Sequence, residues 1–183
     1  MRLTWCYNLK SKNYRVNYKV DFLDISLFFS ILLCSLATGF ILTYAVVVMP
    51  GLSKLDDKEF IKAFQVTDGI IQNNQPIFIL IWVGSIISVL CTIIVSILSL
   101  GILEAWLIIL TSLIYLLGVQ GITISIHLPL NKHIQNIDID ITDSQTLSDE
   151  RKNFETKWNF FNNIRTGIAI FVILIFLLIL TIR

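Results

Sequence analysis

Trp158-Asn159-Phe160-Phe161-Asn162-Asn163-Ile164-Arg165-Thr166 runs directly into Gly167-Ile-Ala-Ile-Phe-Val-Ile-Leu-Ile-Phe-Leu-Leu-Ile-Leu-Thr-Ile182. The second part carries no charge and no proline. It also lacks the period-two alternation of a half-exposed strand, so it reads as a helix whose solvent is lipid. The first part then puts three asparagines, an arginine and a tryptophan where a bilayer begins. Polar groups at that depth are costly unless they pair with one another, line a cavity or meet a ligand. This one stretch therefore fixes a membrane helix and marks the best place to look for a working site.

Three further apolar runs lie upstream. The spans are expected at about 22–49, 76–100, 103–126 and 164–182. Each offers close to the 20 apolar residues that a helix rising about 1.5 Å per residue needs to cross roughly 30 Å of hydrocarbon. Only helices and closed barrels satisfy their backbone in lipid, and continuous runs without alternation favour helices. Only 15% of the 183 residues are charged and mean hydropathy is +0.77, against about 25% charged residues in an ordinary soluble domain. The expected fold is all-α: an integral membrane four-helix transmembrane bundle with one amphipathic loop helix, preceded by a basic tail over residues 1–20.

The connections refine this picture. Pro50-Gly51 is expected to stop the first span. Residues 52–74 suit a short helix capped by Ser53, with Leu55, Phe60, Phe64 and Ile71 at roughly helical spacing. Such a helix lies on the membrane surface or packs on the end of the bundle. Pro76 suits the first turn of the second span. Gly101 and Glu104 mark a turn so short that the second and third spans must be antiparallel neighbours. The chain is expected to leave the third helix at His127-Leu-Pro-Leu-Asn131. The last helix is expected to start near Asp149, with Ser148 as its cap, two to four turns before the hydrocarbon. The first apolar run far exceeds the apolar region of a signal peptide, so it is read as an uncleaved span.

The tail's Arg2, Lys10, Lys12, Arg15 and Lys19, with Arg183, share one side if the spans number four. Lys/Arg totals on the two sides do not decide orientation, because the first loop and the segment from Lys132 to Arg165 are also basic. The flank of the first span usually dominates, so both termini are expected to be cytoplasmic in a bacterial inner (plasma) membrane. A net charge of +1, without a basic groove interleaved with aromatics, argues against nucleic acid as a partner. Membrane lipid is the expected surrounding. Cys6, Cys34 and Cys91 have no CxxC or ligand spacing and read as free small hydrophobes.

Two polar stripes are candidates for a site. Gln120, Thr123 and His127 are spaced three and four apart near the end of the third span, with Asn131 just beyond. Glu155, Asn159, Asn162 and Thr166 share a face of the last helix, with Trp158 and Arg165 beside it. Both stripes must lie on one side of the membrane, where a four-helix bundle brings them to a common mouth. Each residue also has a plainer role: Arg165 reaching headgroups, Trp158 in an aromatic belt, His127 solvated, and the amides gluing helices together. Convergence is what favours a site. A metal held by His127, His133 and Glu155 is disfavoured, since no Glu-x-x-His pair is present, and no nucleophile elbow or phosphate loop is found.

His127-Leu-Pro-Leu-Asn131, the polar loop that follows, Trp158-Asn159 and Asn162-Asn163-Ile-Arg165-Thr166 before a last span resemble the anthrone oxygenase-like membrane proteins. Met49-Pro50-Gly51 after the first span and Asn74-Gln75-Pro76 before the second fit the same pattern. The resemblance covers about residues 25–182. That family holds many bacterial members of unknown function and fungal enzymes that oxidise anthrones to anthraquinones. It implies a membrane protein with an oxygenase activity on an aromatic or polyketide-like small molecule, working without a cofactor. His127 is then the candidate base. Arg165 and Asn162 are candidate donors to a developing oxyanion. Trp158, Phe160 or Phe161 would pack on a flat substrate, and Gln120, Thr123, Asn131, Glu155, Asn159 and Thr166 would complete the binding surface. A non-enzymatic binding or assembly protein is the alternative, and a small transporter a third.

Overall fold

The computed structural model describes residues 21–183. The basic tail and Cys6 lie outside the described residues. Four helices are long and apolar enough to cross a membrane: α1 (Phe22–Leu52), α3 (Pro76–Leu100), α4 (Trp106–Gln135) and α5 (Ser144–Ile182). Between the first two lies the loop helix α2 (Asp57–Gln72). No strand occurs among the described residues, and the fold is the all-α membrane bundle expected from composition.

Local chemistry explains where most helices begin. Asp21 and Asp24 form a reciprocal capping box at the head of α1, satisfying backbone donors that a helix start leaves unpaired. Asp56 accepts from the Glu59 amide at 2.8 Å and starts α2. Gln75 caps α3 through the Phe78 amide, and Pro76 follows at a position that needs no N–H. Gly101, at φ +82°, ends α3 in a backbone conformation that side chains disfavour.

Three expected boundaries move. Pro50 does not stop α1, and Pro129 does not end α4. A π-helical turn precedes each proline, at Tyr44–Val48 and Thr123–His127. The Met49 amide donates to Tyr44 O and the Leu128 amide to Thr123 O, five residues back. This wider register gives the proline ring the room that an ordinary α-turn denies it. The last helix starts at Ser144 rather than near Asp149. Its cap is Asp143, which accepts from the Thr146 amide at 3.0 Å and the Thr146 hydroxyl at 2.7 Å. Likewise Asp56, not Ser53, caps the loop helix.

Two apolar cores stack along the bundle. One is built from Leu27, Cys34, Val89, Tyr115, Val172 and Phe176 in the membrane-crossing body. The other joins Phe60, Ile61 and Phe64 of α2 to Ile134, Phe154 and Trp158 at the loop end. Of the two placements open to the loop helix, the structure takes the one packed on the bundle. Arg151 clamps it there, donating to Leu55 O (2.7 Å), Ser53 O (3.0 Å) and Asp57 (3.0 Å) while stacking on Phe60. At the opposite end Arg183 pairs with Asp21 at 2.9 Å and Asp24 at 3.2 Å. Both ends of the described chain therefore meet on one side, with the short α3–α4 turn, and the two longer connections lie on the other.

Candidate functional site

A cavity of about 300 Å³ opens at the loop end, between α1, the last turn of α2, the start of α3, α4 and α5. Phe40, Ile41, Phe78, Ile79 and Val119 give it apolar walls. Tyr44, Asp68, Gln120, Thr123, His127, Asn131, Trp158 and Arg165 supply aromatic and polar atoms. A mostly apolar hollow with few convergent polar groups is the usual form of a small-molecule site.

Arg165 is buried and held by neutral oxygens. Its Nε and Nη2 donate to Asn162 Oδ1 at 3.0 and 2.8 Å, and Nη1 donates to Thr123 Oγ1 at 2.9 Å. No carboxylate pairs with it among the described residues. A guanidinium offers five N–H donors, so two have no partner among the described residues. Asn162 is fixed in turn, since its Nδ2 donates to Ile41 O at 3.1 Å and its backbone oxygen accepts from Thr166 Oγ1 at 2.7 Å. Asn162 and Thr166 thus stand behind Arg165 rather than on the cavity wall.

His127 is only 2% exposed, and neither ring nitrogen makes a hydrogen bond of good geometry among the described residues, although the Phe161 backbone carbonyl lies near the ring. The imidazole meets Trp158 edge to face, with ring centres 4.9 Å apart and planes at 80°. The Arg165 Cζ lies 5.6 Å from the centre of the same indole. Trp158 therefore joins the two stripes, and its Nε1 is held by Asn131 Oδ1 at 2.9 Å. Gln120 accepts from Trp82 Nε1 at 2.7 Å and donates to the Tyr115 hydroxyl at 3.0 Å, closing the membrane-side floor.

Of the residues singled out in the sequence, Gln120, Thr123, His127, Asn131, Trp158 and Arg165 line this cavity. Glu155 and Asn159 do not. They border a separate groove with Ala45, Met49 and Pro50, and Glu155 is engaged by Arg151 at 3.2 Å. Phe160 points outward, 61% exposed. Among the described residues no group of three His, Cys, Asp or Glu could hold a metal ion.

Sequence reasoning missed Asp68. Its carboxylate is buried on the cavity wall and accepts from Asn131 Nδ2 (2.7 Å), Gln72 Nε2 (3.2 Å) and Gln135 Nε2 (3.2 Å). Burial raises its pKa above the ordinary carboxylate value, partly opposed by these amide donors. The signal was legible, because Asp68 continues the stripe of Phe60 and Phe64 at intervals of four, and an acid on an apolar helix face calls for a partner.

No curated protein and no solved structure matches the chain. The family model described as anthrone oxygenase matches residues 72–175, more than half of the sequence. The match takes in α3, α4 and most of α5, and with them His127, Asn131, Trp158 and Arg165, while Tyr44 and Asp68 lie outside it. The chain belongs to the anthrone oxygenase family.

Proposed function

We propose that this protein is a membrane oxygenase that converts the methylene of an anthrone-like aromatic ketone to a carbonyl, using molecular oxygen. The observation that carries the reading is the convergence of an unpartnered imidazole, His127, and an uncompensated guanidinium, Arg165, on one mostly apolar cavity across the Trp158 indole. The cavity sits at the lower end of the range for small-molecule sites, about 300–1,000 Å³, which suits a compact flat ring system.

The chemistry follows from what each group offers. The substrate's carbonyl oxygen takes the two remaining N–H donors of Arg165. His127 accepts a proton from the methylene carbon, and the electron pair left behind delocalises onto that oxygen as a phenolate-like anion. A positive charge held in place in a low-dielectric wall favours this anion over the neutral ketone. Oxygen takes electrons from the carbanion carbon, and a C–O bond forms. The resulting peroxide anion receives the proton held by His127. Loss of the second C–H proton to His127 then breaks the O–O bond and forms the new carbonyl, and the departing hydroxide takes that proton as water. One substrate and one oxygen molecule give one quinone and one water. Asn162 acts by fixing the Arg165 fork, and Trp158 by spacing the His127 imidazole from the Arg165 guanidinium.

An assembly protein would have these side chains satisfied by one another with no hollow between them. The free ring of His127 and the cavity favour the enzyme. The same reading keeps both termini cytoplasmic, so the cavity faces the other side of the membrane. The test is aerobic incubation of the purified full chain in detergent with anthrone, following oxygen uptake and quinone formation. Equal uptake and quinone, lost in His127→Gln, supports the reading. Quinone formed no faster than without protein contradicts it.

A further inference from the structure

The cavity has a second polar pole. Asp68 lies 2% exposed on its wall and has no cationic partner among the described residues. Two of the three amides around it cannot turn away. Asn131 must present its Nδ2 to Asp68 because its Oδ1 accepts from Trp158 Nε1 at 2.9 Å. Gln135 must present its Nε2 because that group also donates to Gln65 O at 3.0 Å. Gln65 is itself fixed by the carbonyls of Ile134 and Ile137.

A carboxylate offers about four acceptor positions, and three are filled here. A buried carboxyl surrounded only by neutral donors is costly unless its remaining position is satisfied. Asp68 lines the same cavity as Arg165, where a ligand can fill that position. Arg165 can only donate, and ionised Asp68 can only accept. A ligand that satisfies both carries an acceptor for Arg165 and a donor for Asp68 on one mostly apolar body, matching the Phe40, Phe78 and Trp158 side chains that also line the cavity.

We propose that Asp68 reads the ligand: it accepts a hydrogen bond from a ring hydroxyl distinct from the carbonyl that Arg165 holds, and so fixes which way round the molecule lies. The inference rests on the proposed function for its ring system, but Asp68 lies outside the segment that places the chain in its family, and the assignment comes from its surroundings alone. A substrate anchored at both poles presents its methylene to His127 in one orientation. Without Asp68 the ring system is free to turn within the apolar walls.

The test is equilibrium binding under argon, where no oxygen is consumed, to the full-length protein in detergent. Three probes are compared: anthrone, an anthrone with a hydroxyl on a lateral ring, and the methyl ether of that hydroxyl. Wild-type protein is expected to bind the hydroxyl probe about tenfold or more tightly than the other two. Asp68→Asn is expected to erase this preference, weakening the hydroxyl probe by a much larger factor than unsubstituted anthrone. Equal wild-type affinity for all three probes overturns the proposal whether or not the variant folds. So does a variant that keeps the preference. Equal weakening of all three by Asp68→Asn also overturns it, because that is the signature of a carboxyl that only supports Asn131 and Trp158. If no probe binds wild-type protein, the proposed function falls as well, and this outcome is distinct from the others.

Discussion

The indole of Trp158 stands at 80° to the His127 imidazole, with ring centres 4.9 Å apart. The contact joins the loop-side end of the third membrane helix to the loop-side turns of the fourth. Both ring nitrogens lack a well-formed hydrogen bond among the described residues. A buried polar group left unpaired lowers stability by about 1–3 kcal/mol. His127→Leu, which keeps the volume and removes the unpaired atoms, is therefore expected to melt at or above the wild-type temperature while oxidation falls by about 10²–10⁴-fold. Thermal unfolding and quinone formation measured on one preparation check both halves.

Arg165 contributes a fork that lysine cannot copy. Its Nε and Nη2 share the Asn162 oxygen while Nη1 reaches Thr123. A lysine keeps the charge, loses the simultaneous contacts and moves the charge off the oxyanion position. Arg165→Lys is expected to lower the oxidation rate by about 10²–10³-fold and stability by about 1–3 kcal/mol. Asn162→Ala should follow it in direction. Near-equal losses in Asn162→Ala, Arg165→Lys and the double variant would identify the two residues as one unit. Additive losses would separate them.

Asp68 ties stability to pH. Its folded pKa is raised above the ordinary value of 3.8, with burial the main cause. The folded protein then holds a proton that the unfolded chain has released. Stability falls as pH climbs from about 3.8 towards the raised value, and levels off above it. Asp68→Asn removes this slope. The difference in unfolding midpoint between wild type and variant, measured across that window, should shift in the variant's favour as pH rises. A pH-independent difference would contradict the burial argument.

Helix approach sets a fourth test. A Cβ at Gly118 would lie 3.0 Å from both Cδ1 and Cγ2 of Ile168. Alanine there gains about 1 kcal/mol of helix propensity over glycine but overpacks the contact at a cost of about 1–3 kcal/mol. Gly118→Ala is expected to destabilise the bundle. In an Ile168→Ala background, where the crowding atoms are gone, the same change should stabilise it. Unfolding of the four proteins in the cycle decides the sign.

The membrane-crossing body was readable because its signal is repeated over whole spans. Each apolar run, the short turn at Gly101 and the capping proline at Pro76 needs only local chemistry. Pro50 and Pro129 look like helix ends in the sequence because the π-turns that accommodate them leave no mark in composition. Ser148 and Asp143 both offer a capping side chain and neither begins a capping box, so local sequence does not choose between them; the structure takes Asp143. Six of the singled-out polar residues meet at one cavity because helical spacing and the shared membrane side constrain them strongly. Glu155 and Asn159 share their helix face in sequence, but α5 turns them towards Met49 and Pro50. Asp68 depended on where α2 packs, which its own periodicity left open between the membrane surface and the bundle.

Deprotonation by His127 is open to direct measurement without oxygen. Full-length protein in detergent, held under argon with anthrone in deuterated buffer, should accelerate exchange of the methylene protons, and His127→Gln should return the rate to that of buffer alone. Exchange in wild-type protein no faster than in buffer, or acceleration undiminished in His127→Gln, would contradict the account.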